Sequence, residues 1–183
     1  MTQSKSVEAQ IRTQLAAGNA LSANDLATAA IEAGAASDRV KYLYLQSLAG
    51  SGGSQLALRR YDELAPAPAA RDEDWLALHA RLYKDLAFAG IEADYNLPRA
   101  AAEYEAAHEL TGGVFSLVNA ASLHLLCGAR KDALRMARKA LEILATEDPQ
   151  DDIARYYWAA SRAANSAGRA WSRVRRPSGM SST

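Results

Sequence analysis

The sequence predicts an all-α fold, a right-handed α-solenoid of stacked helical hairpins, and three observations carry that prediction. Apolar residues recur at helical spacing, and nowhere is there a run of alternating apolar and polar residues rich in Val, Ile and Thr that would ask for a strand. Glycines stand where one helical pattern stops and the next begins, at Gly18, Gly52, Gly128 and Gly168. After the first three of these, small, aromatic or aliphatic packing residues fall 5, 9 and 12 positions later, and Gly18 and Gly52 are 34 residues apart.

Taken in order, the first hairpin turns at Gly18, and its second helix places Ala23, Ala27 and Ala30 on one face. The second turns in Gly50-Ser-Gly-Gly-Ser54, with Ser available as a helix cap, and continues through Ala57, Tyr61 and Leu64. Ala65-Pro-Ala-Pro-Ala-Ala70 then reads as a short stiff linker without a helical alternative. The third hairpin starts near Asp72-Glu-Asp, whose acids suit a helix N-terminus, and carries Trp75, Leu78 and Leu82. Its second helix holds Ala100, Tyr104 and Ala107, which puts the turn at Tyr95, 43 residues after Gly52. About nine extra residues are therefore expected as a lengthened first helix and loop near positions 85–97, with Pro98 in the first turn of the next helix.

Residues 111–145 form the clearest hairpin: Thr111-Gly112-Gly113 caps the preceding helix, an apolar helix runs to Gly128, and Ala133, Ala137 and Ala140 supply a small-residue face. A fifth first helix is expected over residues 151–167 after Pro149, with Gly168 as its turn. The following helix fails, because the same offsets give Arg173, Pro177 and Met180. The expected organisation is a repeat domain of about 4.5 hairpins over residues 1–168 and a basic, frayed or disordered tail over 169–183.

Composition narrows the function classes. Lys plus Arg balances Asp plus Glu at 21 each, so no global field favours nucleic acid or an anionic membrane. Cys127 is the only cysteine, which excludes an intramolecular disulfide and any cysteine-based zinc cluster and suits a reducing compartment. No apolar run approaches the roughly 20 residues of a membrane span, and the start leads into a polar helix and not a signal-peptide core. A soluble, cytoplasmic protein is the expectation.

The 34-residue period, the glycine turns and the small and aromatic positions resemble the tetratricopeptide repeat. Two stretches, Arg81-Leu-Tyr-Lys-Asp85 and Thr111-Gly-Gly-Val-Phe-Ser-Leu-Val-Asn-Ala-Ala-Ser-Leu-His-Leu-Leu-Cys-Gly128, resemble more narrowly the TRAF-binding tetratricopeptide region of stress-activated MAP kinase kinase kinases and related bacterial signalling proteins. That resemblance spans about residues 20–168 and implies a regulatory, protein-binding module beside an effector domain. No residue identifies the partner.

Chemistry-bearing constellations are sparse. Glu105-x-x-His108, with Glu103 and Glu109 nearby, has the spacing of a di-metal helix-bundle ligand pair, but His79 and His124 lack a Glu three residues before them, so a solvated acidic face is expected. Cys127 falls in an apolar run beside His124, and both read as packing residues, the thiol with a raised pKa. No phosphate loop or nucleophile elbow occurs. A non-enzymatic protein with no cofactor and no metal follows.

What remains is the concave groove lined by the first helices. By register from the turns it should present Arg39, Tyr42, Gln46, Asn119, Ser122, Arg155, Trp158, Arg162 and Asn165, with Lys84 as a neighbour. The peptide-binding candidates are Lys84, Asn119, Arg155, Trp158 and Arg162: Asn119 to hold a peptide backbone or carboxylate, the cations as charge-assisted partners. The expected partner is a protein or peptide, or a neighbouring effector domain. Two alternatives are a nucleic-acid-binding helical repeat using the basic end, where residues 151–183 hold six arginines against two acids, and a metal-dependent helical-bundle enzyme.

Overall fold

The computed structural model describes residues 2–146. Among these, eight α-helices run in order: α1 (Thr2–Ala16), α2 (Ala20–Glu32), α3 (Asp38–Gly50), α4 (Ser54–Leu64), α5 (Glu73–Phe88), α6 (Ala93–Thr111), α7 (Val114–Leu126) and α8 (Arg130–Thr146), with one 3-10 turn at Pro68–Ala70. Each helix packs on the next, and α1 and α5 also touch α3, so the odd-numbered helices line one side of a helical-repeat solenoid. The fifth first helix, the Gly168 turn and the tail lie outside the described residues, as do Arg155, Trp158, Arg162 and Asn165.

The turn glycines behave as their positions require. Gly18, Gly52 and Gly128 have φ of +78°, +86° and +78°, a left-handed conformation that costs a side chain about 1–2 kcal/mol. Gly90 has φ +76° and is the third turn, in place of Tyr95. The turns are thus spaced 34, 38 and 38 residues apart. The added residues do not form a loop: α5 has 16 residues against 13 in α3 and α7, and α6 has 19. Pro98 consequently sits inside α6 and not in its first turn. It has no N–H to offer the carbonyl of Asp94, a loss confined to the N-terminal end of a long, well-packed helix.

The second-helix faces hold: Ala23, Ala27, Ala57, Tyr61, Ala100, Tyr104 and Ala107 are all buried. In α8 the buried set is Ala133, Met136 and Ala140, so Met136 replaces the predicted Ala137. Three cores follow along the axis. Ile11, Ala23, Ala27, Val40 and Leu43 join α1 to α3. Leu45, Leu48, Ala57, Tyr61, Trp75, Leu78 and Leu82 join α3 to α5. Ala77, Ala80, Ala100, Tyr104, Leu117, Ala120, Leu123, Met136 and Ala140 join α5 to α8.

Caps are partly as predicted. Asp72 caps α5, its carboxylate accepting from Trp75 N–H at 3.1 Å. Gly112 closes α6 in the left-handed region with φ +74°. The α4 cap is Gly53 and not a serine: Ser54 is the first helical residue and buried, while Ser51 donates back to Leu48 O at 3.0 Å. The linker also curls, since the prolines favour the tight φ of a 3-10 turn at Pro68–Ala70.

Candidate functional site

The predicted groove residues within the described part of the chain lie on α3, α5 and α7, where each has identifiable neighbours. On α3, Arg39 pairs with Asp74 of α5 at 2.7 Å, and its guanidinium lies 4.5 Å from the Tyr42 ring centre. Its Nε is buried and has no hydrogen-bond partner among the described residues. Burial, with Asp74 adding, pushes the Tyr42 phenol above the ordinary tyrosine range, and its ring packs against the cores beside Trp75. Gln46 is half-buried.

On α5, Arg81 pairs with Asp85 at 3.3 Å one turn later. Lys84 reaches α7, where its Nζ donates to Asn119 Oδ1 at 3.5 Å, and it lies 5.7 Å from the Tyr104 ring centre. Burial lowers the Lys84 ammonium below its ordinary range, and it forms no ion pair among the described residues. Asn119 turns its Nδ2 onto Phe115 O of its own helix at 2.9 Å, which leaves Oδ1 aimed across the groove. Ser122 is exposed and donates to Val118 O at 2.9 Å. The structure therefore joins Lys84 to Asn119, a contact between residues 35 positions apart, and leaves Ser122 satisfied on its own helix.

A second link between α5 and α7 was not anticipated. Glu73, read from sequence as a helix-start acid, points its carboxylate at α7, where Oε1 accepts from Ser116 N–H at 3.0 Å and from the buried Ser116 hydroxyl at 2.8 Å. It thus caps α7 from 43 residues away, placing a negative charge at a helix N-terminus. A Cβ at Gly113 would overlap that carboxylate, which gives this glycine a role beyond the loop. Buried His108 fixes the same turn, its Nδ1 2.9 Å from Gly113 O. A Gly-Gly pair followed by Val is the only sequence trace of this tertiary cap.

The acidic face of α6 is not solvated as expected. Glu103 lies 3.3 Å from His79 Nδ1 and 2.6 Å from Arg99, and the His79 contact, with the cations helping and burial opposing, holds its carboxyl below the usual range. Glu105 lies 3.1 Å from His124 Nε2 and 2.8 Å from Arg135. His124 is thus an α6–α7 polar link and not a packing residue. Cys127 is exposed, because α7 ends at Leu126 and the thiol falls on its C-cap, outside the buried face. Local desolvation still raises its pKa, so it is not an activated thiolate. Among the described residues no group of three or more His, Cys, Asp or Glu side chains is arranged to hold a metal ion.

A solenoid of glycine-turned helical hairpins defines a tetratricopeptide-type repeat protein, a class of interaction modules. The profile of the Tetratricopeptide Repeats-Sensor family matches residues 14–124, and the chain belongs to that family. Neither the curated proteins nor the solved structures contain a match. Among the described residues no helix is long and apolar enough to cross a membrane.

Proposed function

We propose that the chain is a non-enzymatic sensing module of a signalling protein, receiving an extended or helical peptide, or an adjoining effector domain, in the groove between α3, α5 and α7. The observation that supports it is the Lys84–Asn119 pair: a half-buried cation whose one hydrogen bond among the described residues is a 3.5 Å contact to a neutral amide. Such a group gains most from an incoming carboxylate or backbone carbonyl. The buried, unbonded Arg39 Nε marks the same side of the array. The word sensor in the family's name and the resemblance of residues 81–85 and 111–128 to the TRAF-binding repeat region point to a regulatory role. Arg155, Trp158 and Arg162 extend the proposed surface beyond the described residues.

The test is binding of array-selected peptides to the full chain. Lys84→Ala with Asn119→Ala should weaken binding by about tenfold or more, as loss of a central polar anchor does, while Ser122→Ala leaves it unchanged. Binding that persists after Asn119→Ala, Arg155→Ala and Arg162→Ala are combined rules the groove out. Affinity for nucleic acid that falls steeply with salt would support the alternative use of the basic end.

A further inference from the structure

The residues that break the 34-residue period build a second surface, away from the groove. Between Phe88 and Ala93 the turn is pinned: Gly90 N–H donates to Ala87 O and Ile91 N–H to Leu86 O, each at 3.0 Å. Buried Asn96 gives its Nδ2 to Ile91 O at 2.7 Å. On this hydrogen-bonded turn Phe88, Ile91 and Tyr95 are 64%, 39% and 60% exposed. Glu92 and Asp94 frame them, and neither carboxylate has an ion-pair partner among the described residues. An open hollow of about 520 Å³ is lined by residues 92–95. Exposed apolar side chains beside two carboxylates without an ion-pair partner among the described residues suit a segment that alternates apolar groups with cations.

The chain contains such a segment. Residues 169–176 hold Arg169, Trp171, Arg173, Val174, Arg175 and Arg176, and no acid occurs after Asp152. Reach is sufficient: α8 leads from the Gly128 turn, on the same edge as Gly90, to the far edge over 17 residues, about 25 Å at 1.5 Å per residue. With the expected helix over residues 151–167 spanning about 25 Å at 1.5 Å per residue and the other five of residues 147–168 able to extend about 16 Å, the return is covered. The neighbouring α7–α8 turn exposes Leu125 and Leu126 too, but Arg130 and Lys131 follow it and would repel a basic segment.

We propose that residues 169–176 dock in cis on the α5–α6 turn, with Trp171 against Phe88 and Tyr95 and the arginines facing Glu92 and Asp94. A nitroxide on Ser172→Cys, in a full-length Cys127→Ser chain, tests this by paramagnetic broadening of backbone amides. At low salt the amides of residues 88–96 should lose at least about half their intensity, and recover at about 1 M salt, where screening acts within about 3 Å. Glu92→Lys with Asp94→Lys should abolish the broadening without changing the remaining amide shifts. Unaffected amides at 88–96 overturn the proposal. So does broadening seen only when a labelled chain is mixed with an isotope-enriched, unlabelled one, which would assign the surface to a second copy.

Discussion

The joint between α4 and α5 and the packing of α7 against α6 and α8 solve the same problem with different side chains. At the joint the backbones approach each other at fewer positions, and aromatic rings fill the gap. Tyr42 and Tyr61 meet Trp75 edge-on at 5.4 and 5.9 Å, and Tyr61 stacks on His79 at 4.5 Å. The Tyr61 hydroxyl donates to Trp75 O at 2.7 Å, and its burial lifts the phenol pKa to about 12. In the second region Ala100, Ala101, Ala120 and Ala140 let the helices close, and Leu117, Leu123 and Met136 fill what is left. One repeat topology thus accepts either a few large, hydrogen-bonded rings or many small contacts, and the two should fail differently.

The largest expected effect is at the joint. Trp75→Ala should cost about 3–5 kcal/mol in urea unfolding, since removing a buried ring that both Tyr42 and Tyr61 meet leaves a cavity that cannot fully collapse. Hydrogen exchange should rise across α1 to α4 while α6 to α8 stay protected. Equal loss of protection in both halves would show one cooperative unit and erase the distinction. Next, Ala120→Leu should cost about 1–3 kcal/mol, because a fully buried alanine in the close-packed region has no room for added methylenes. A neutral or stabilising result would mean that this region is as loosely spaced as the joint.

The smallest effect is polar. Glu103 has a folded pKa below its ordinary value, so its contribution is fully present above the usual carboxylate range and lost as pH falls through the depressed pKa. Glu103→Gln should therefore cost less than about 1 kcal/mol near neutrality and flatten the fall of the urea midpoint below about pH 4.3. An unchanged acid limb would assign that pH dependence to other carboxylates.

Much of this architecture was legible in the residues. Helical periodicity, the glycines at 18, 52 and 128 and the acid-rich start at Asp72 follow from backbone conformation over a few positions. The third turn was misplaced at Tyr95 because the packing positions Ala100 and Tyr104 were counted back by a fixed offset, whereas α6 adds more than a turn before them. Of the candidate site, register placed Asn119 on the face of a first helix and Lys84 as a neighbour of that face, and it could not say that the two meet or which partners their atoms choose.

The sequence by itself determined the repeat, its turns at Gly18, Gly52 and Gly128 and most of its small and aromatic packing faces, since each depends on local φ and on spacing along one helix. The tertiary structure alone decided that Glu73 caps α7, that Glu103 and Glu105 each meet a histidine, and that Lys84 contacts Asn119. These contacts join residues 19 to 43 positions apart, so they depend on helix separation and side-chain reach, quantities that no local pattern encodes. For the same reason Cys127, apolar by its neighbours in sequence, is exposed in space: one residue past the end of a helix no longer shares that helix's buried face.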